Sequence, residues 1–162
     1  MDNEEALKVI DSMMWVKKAS IFLLLLDYAL RNLDSASDTQ KKCQEAVDKC
    51  WRWLSDRGLS ADELAYYLDS DDMQSGPLAE GNFASESVEQ NSLILILLVI
   101  GFFANKAYKI VGLQEQMSEP VCEADESSAV YIVAYIERIG LSDKLSVYLS
   151  AHVLENRGQS TF

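Results

Sequence analysis

Apolar residues recur along this chain at helical rather than strand spacing, and two runs are apolar on every side. The first stretch, from about Asn3 to Leu33, places Ile21, Leu24, Leu25, Tyr28 and Ala29 on one stripe and can break near Asp11 to Met14. Ser35 to Ser37 reads as a turn. A second helix is predicted from about Thr39 to Arg57, with Cys43, Val47, Cys50 and Leu54 at helical spacing and Gly58 placed to stop it. Within it Trp51 follows Val47 by four and precedes Leu54 by three, which assigns it to the core face. Trp53 follows Cys50 by three and is assigned to the edge. Ser60 with Glu63 three residues later forms a capping box, so a short third helix is expected over Ala61 to Leu68. Its inner face is Leu64, Tyr67 and Leu68, and Tyr66 points outward.

Residues 69–85 are rich in Asp, Ser, Gly, Pro and Asn and predict the longest irregular segment. A fourth helix starts at Ser85 or Glu86 and runs to Val111, with Gly112 as its stop. Its middle, Leu93 to Phe103, is apolar all round, which makes it the central helix. A fifth helix spans about Ser128 to Ile139, stopped by Gly140. The β-branched run Val130, Ile132, Val133 and Ile136 leaves a strand open there. Ser142 opens a sixth helix to about Asn156, ended by Gly158. The pattern predicts an all-α single domain, a bundle of about six helices around a central apolar helix. It occupies residues 1–158, with 159–162 as a frayed tail.

The length of 162 residues suits one domain with one core, and 49% hydrophobic with 25% charged residues excludes global disorder. The run Ile21 to Leu26 is preceded by Asp2, Glu4, Glu5 and Asp11, unlike the basic start of a signal peptide. Leu93 to Phe103 spans 11 residues against the roughly 20 of a membrane-crossing helix. Both runs therefore predict buried helices of a cytoplasmic protein. Three cysteines, Cys43, Cys50 and Cys122, fit a reducing compartment. Cys43 and Cys50 are seven apart along one helix, roughly 10 Å, too far for a disulfide.

Charge changes the picture more than composition does. The net charge is -12. Residues 56–89 hold nine acids against Arg57 alone, a net of -8, and residues 112–130 hold five acids and no base. The remaining residues hold 12 acids against 13 bases. A field this segregated steers cationic partners and disfavours nucleic acid and anionic membranes. The alternative is a pair of solvated loops that keep the protein soluble.

No catalytic set stands out. The single histidine, His152, sits beside Leu149 and Tyr148, as packed histidines do. Asp69, Asp71 and Asp72 resemble the start of a calcium loop, but Met73 and Gln74 break it where a ligand and the invariant glycine belong. No phosphate-binding glycine loop is present, and no metal or cofactor is expected. Aromatic residues beside charge are typical of binding hot spots, so Trp53 and Tyr66 next to the acidic segments read as a recognition patch.

The stretch Cys50-Trp51-Arg52-Trp53-Leu54, then Gly58-Leu59-Ser60, Asp62-Glu63-Leu64 and Tyr67-Leu68-Asp69 resembles the helical immunity proteins of bacterial polymorphic toxin systems. It is most similar to the tryptophan-bearing group, immunity protein family six, over about residues 43–72. The resemblance implies a small cytosolic protein that binds a cognate toxin domain and blocks it. Together with the charge pattern it gives a non-enzymatic binder of a basic toxin, best suited to a nuclease cleft. The residues expected to carry binding are Trp53, Tyr66, Asp69, Asp71, Asp72, Glu123, Asp125 and Glu126. Two alternatives stay open, a hydrolase or metal-dependent enzyme built on Asp69, Asp71, Asp72 and neighbouring glutamates, and a helical adaptor without a toxin partner.

Overall fold

In the computed structural model, which describes residues 1–69 and 87–160 and side chains as far as Glu155, every regular element is helical. Eight α-helices occur among the described residues: α1 Asn3–Ser12, α2 Trp15–Arg31, α3 Asp38–Asp56, α4 Ala61–Asp69, α5 Val88–Ile110, α6 Glu119–Glu123, α7 Ala129–Arg138 and α8 Ser142–Ser160. Two single 3-10 turns, Gln114–Gln116 and Glu126–Ser128, flank α6. The expected break near Asp11 to Met14 separates α1 from α2. The β-branched run is helix α7, because Ala129, Ile132, Val133 and Ile136 bury one helical face.

Local chemistry sets the helix ends. Asp2, Ser37 and Ser87 accept backbone N–H bonds at the starts of α1, α3 and α5. The capping box is present in full: Ser60 N–H donates to Glu63 Oε2 at 3.1 Å and Glu63 N–H donates to Ser60 Oγ at 3.2 Å. Gly112 and Gly140 both take positive φ, at 73° and 77°, just past α5 and α7. At the end of α3 the left-handed residue is Arg57 rather than Gly58, with φ 57°. Its guanidinium lies 3.9 Å from the Trp53 ring centroid and donates to the Trp53 carbonyl at 3.0 Å, which holds the turn.

Helix α5 is the hub, touching α2, α3, α4, α6 and α7. Its 23 residues, with a mean hydropathy of 1.9 over an 18-residue window, reach the length and apolarity of a membrane span, well beyond the 11-residue run visible in the sequence. Two thirds of that window (67%) is buried inside the bundle, and enclosure by neighbouring helices accounts for its composition. Trp15 stacks on Phe102 at 5.2 Å and meets Trp53 and Phe103 edge-on at 5.7 and 5.2 Å. Trp53 is 3% exposed and belongs to this cluster, whereas Trp51 is only half-buried. The expected faces of the two tryptophans are therefore exchanged. The buried stripe of α3 runs through Cys43, Ala46, Val47, Cys50 and Trp53, so it is centred one residue away from Trp51.

One ion pair has a buried base and an exposed acid. Lys18 is 4% exposed, and its Nζ is 2.9 Å from Glu126 Oε1. The hydrogen bond from Lys18 holds the Glu126 carboxyl below its usual range. Replacing Glu126 with Gln leaves a buried ammonium without its counter-charge. Breaking a fully buried pair costs about 3–5 kcal/mol. Here the Glu126 side chain is 60% exposed and screened by solvent, so a loss of about 1–2 kcal/mol is expected near neutral pH. A carboxylate with a lowered folded pKa stabilises above its unfolded value, about 4.3, and stops doing so as pH falls through the folded value. Denaturant melts of Glu126→Gln and the wild type should therefore differ at pH 7 and converge in acid.

Candidate functional site

Two helices from the acidic stretches, α4 and α6, far apart in sequence, pack on each other and on α5. The capping box aims the first turn of α4 so that Asp62 meets Tyr108, whose hydroxyl donates to Asp62 Oδ1 at 2.6 Å. Burial, then the Asp62 carboxylate, push the Tyr108 phenol well above its usual range, so it remains a donor. Tyr67 ties α4 to α3 by donating to Glu45 Oε1 at 2.8 Å. At the far end of α4, Asp69 accepts from the Ser118 hydroxyl at 2.7 Å, just before α6. Asn105, buried in the central helix, donates to the Val121 carbonyl at 2.9 Å and so fixes the backbone of α6. A Cβ at Gly101 would stand 3.0 Å from both Leu68 Cδ2 and Ala124 Cβ, so α4 and α6 press on α5 at one point.

This packing sets Asp69 against Ser118 at the start of α6, with the exposed Glu119 next in the chain and Glu123 one turn further on, where it lines the same groove as Leu68. Tyr66 is 50% exposed on the outside of α4, as expected, with its ring 5.3 Å from that of Tyr67. Trp53 does not reach the surface with them. Its ring is in the core, because a full turn of small residues, Ala46 and Cys50, points α3 inward along that line. Asp125 and Glu126 are engaged in local structure. Asp125 accepts from the Ser127 N–H and hydroxyl, the hydroxyl first holding its carboxyl below the usual range. Glu126 pairs with Lys18, and Lys106 and Lys109 lie within its electrostatic reach. This end of the second acidic segment is thus partly offset by bases from α2 and α5. Asp71 and Asp72 lie outside the described residues.

The fold also forms an apolar groove that the sequence pattern does not announce. It encloses about 410 Å³ between α4, α5 and α6 and is closed at one side by α7. Its walls include Tyr67, Leu68, Ile94, Leu97, Leu98, Pro120, Ala124 and Tyr131, and Glu123 stands among them. Four helices assemble it, so no local stretch carries its signal. Ile94, Leu97 and Leu98 of α5, half-exposed among buried apolar neighbours, form its floor.

The side chains nearest to a reactive role are quiet ones. Burial pushes the Cys43 thiol up to about 12 and that of Cys50 further, so both act as small apolar fillers. Cys122 is exposed on α6. Among the described residues no group of three or more His, Cys, Asp or Glu could hold a metal ion. His152 is half-buried on α8.

The family model described as Immunity protein Imm6 matches residues 17–139. No curated protein and no solved structure gives a match. The matched span runs from the first turns of α2 to the end of α7. It takes in the central helix, the aromatic cluster apart from Trp15, and both acidic segments, and it contains the tryptophan-bearing stretch on which the sequence resemblance rests. With most of its length covered by that one family, this chain belongs to the Imm6 immunity proteins.

Proposed function

We propose that this protein neutralises its toxin by laying the α4–α6 face over a basic cleft, as a non-catalytic inhibitor acting in the bacterial cytoplasm. The toxin best suited to this face is a nuclease domain of a polymorphic toxin system, whose substrate channel must be cationic to hold phosphates. Carboxylates on the inhibitor then occupy the place of the nucleic-acid backbone. The observation that carries the reading is that α4 and α6, one helix from each acidic segment, pack on each other and on α5, with Asp69 bonded to Ser118 beside the exposed Glu119 and with Glu123 lining the same groove as Leu68. Tyr66 adds an exposed aromatic beside them.

Co-expression tests the proposal. A host producing the toxin domain encoded beside this chain should survive when this protein is present, and the two should co-purify as a stable complex. The purified complex should show no nuclease activity until it is dissociated in denaturant. Unprotected cells, or a complex that retains full nuclease activity, would overturn it.

A further inference from the structure

We propose that the apolar groove between α4, α5 and α6 receives one apolar side chain of the toxin, carried on a segment that also bears Lys or Arg. This rests on the toxin-binding reading above and adds the part of the toxin that must enter. The first support is the central helix itself. From Asn91 to Tyr108 the apolar side chains of α5 are buried except Ile94, Leu97 and Leu98, which are half-exposed and all line this groove. Opposite them stand Leu68 and Tyr131, the latter 62% exposed. Apolar area left open in a concave site is what an anchoring side chain removes from water on binding. The volume of about 410 Å³ lies within the range of roughly 300–1,000 Å³ typical of formed ligand sites.

The second support is charge, which selects the occupant. Glu123 stands in the groove wall, and Asp69 follows Leu68 at its edge. A second copy seated here in a two-fold arrangement would bring the same carboxylates face to face. An anionic lipid or a nucleic acid would meet the same repulsion. A cationic protein segment meets attraction, and its Lys or Arg beside the anchor pairs with the rim while the anchor fills the groove. The two parts then act on different rates. Rim charge governs association, and the seated side chain governs dissociation.

Filling or trimming the groove tests this without touching the acids. Leu98→Trp should raise the dissociation rate from the neighbouring toxin domain about 30-fold or more, the scale of losing a hot spot, with the association rate within about twofold. Tyr131→Ala, at an exposed position, serves as the second variant should Leu98→Trp fail to fold, and should raise dissociation severalfold with an unchanged melting temperature. Nile red, an uncharged dye, should bind the free protein and be displaced by one equivalent of toxin. Unchanged dissociation in the folded groove variants, while neutralised acids still slow association, would overturn the groove proposal and leave the toxin-binding reading standing. Dye that stays bound in the complex would overturn it too, as would a dimer of the free protein that Leu98→Trp dissolves. Failure of the wild type to bind the toxin at all would remove the reading on which it rests.

Discussion

Trp53→Ala is expected to destabilise the fold by about 3–5 kcal/mol, the scale of large aromatic truncations in a core. Its ring is 3% exposed, meets Trp15 edge-on at 5.7 Å and Phe103 at 6.1 Å, and is covered by the Arg57 guanidinium at 3.9 Å. Truncation would open a cavity between α2, α3 and α5 and would also release Arg57, the left-handed residue that ends α3. Trp51→Ala, at a half-buried position, should cost about 1 kcal/mol. Urea melts of the two variants check this directly. Equal losses, or a larger loss for Trp51, would contradict the packing described.

Neutralising the face should leave stability nearly unchanged and weaken capture of the toxin. In the variant Asp69→Asn, Glu119→Gln, Glu123→Gln, the Asn oxygen can still accept from Ser118, so α4 and α6 remain joined. Three charges nevertheless disappear from one surface of a chain with net charge -12. Steering by such a field raises association rates by factors of about 10 to 1,000, so a roughly tenfold slowing is expected at low ionic strength. The gap between wild type and variant should close as salt rises and the Debye length falls to a few ångströms. Stopped-flow association at several salt concentrations measures both effects. Equal rates at low salt would mean that these carboxylates only solvate the surface.

Features decided by neighbours along the chain are legible in the sequence. The capping box of Ser60 and Glu63, the stops at Gly112 and Gly140 and the apolar centre of α5 all depend on residues a few positions apart. The faces of Trp51 and Trp53 are not legible, because the α3 stripe is centred on Ala46 and Cys50. Such small side chains give a weak hydrophobic signal, yet they mark where helices approach most closely. The burial of Lys18 has no local signal in the sequence. Lys18 is buried because its partner, Glu126, arrives from a turn over a hundred residues later. The site shows the same division. Its acids can be counted from sequence, whereas their convergence depends on long-range contacts made by Asn105, Gly101 and Ser118. Those same contacts separate the outward-facing Glu119 and Glu123 from Asp125 and Glu126, which are tied up in the turn before α7.

If the toxin sits on the α4–α6 face, a hydrogen-exchange footprint of the complex locates it there most directly. Amides of residues 62–69 and 115–124 should exchange more slowly in the complex than in the free protein, as should those flanking Leu97 and Leu98. The α1–α8 side of the bundle should be unaffected. Protection confined to α1 and α8, with the acidic face exchanging as it does in the free protein, would show that the toxin binds elsewhere.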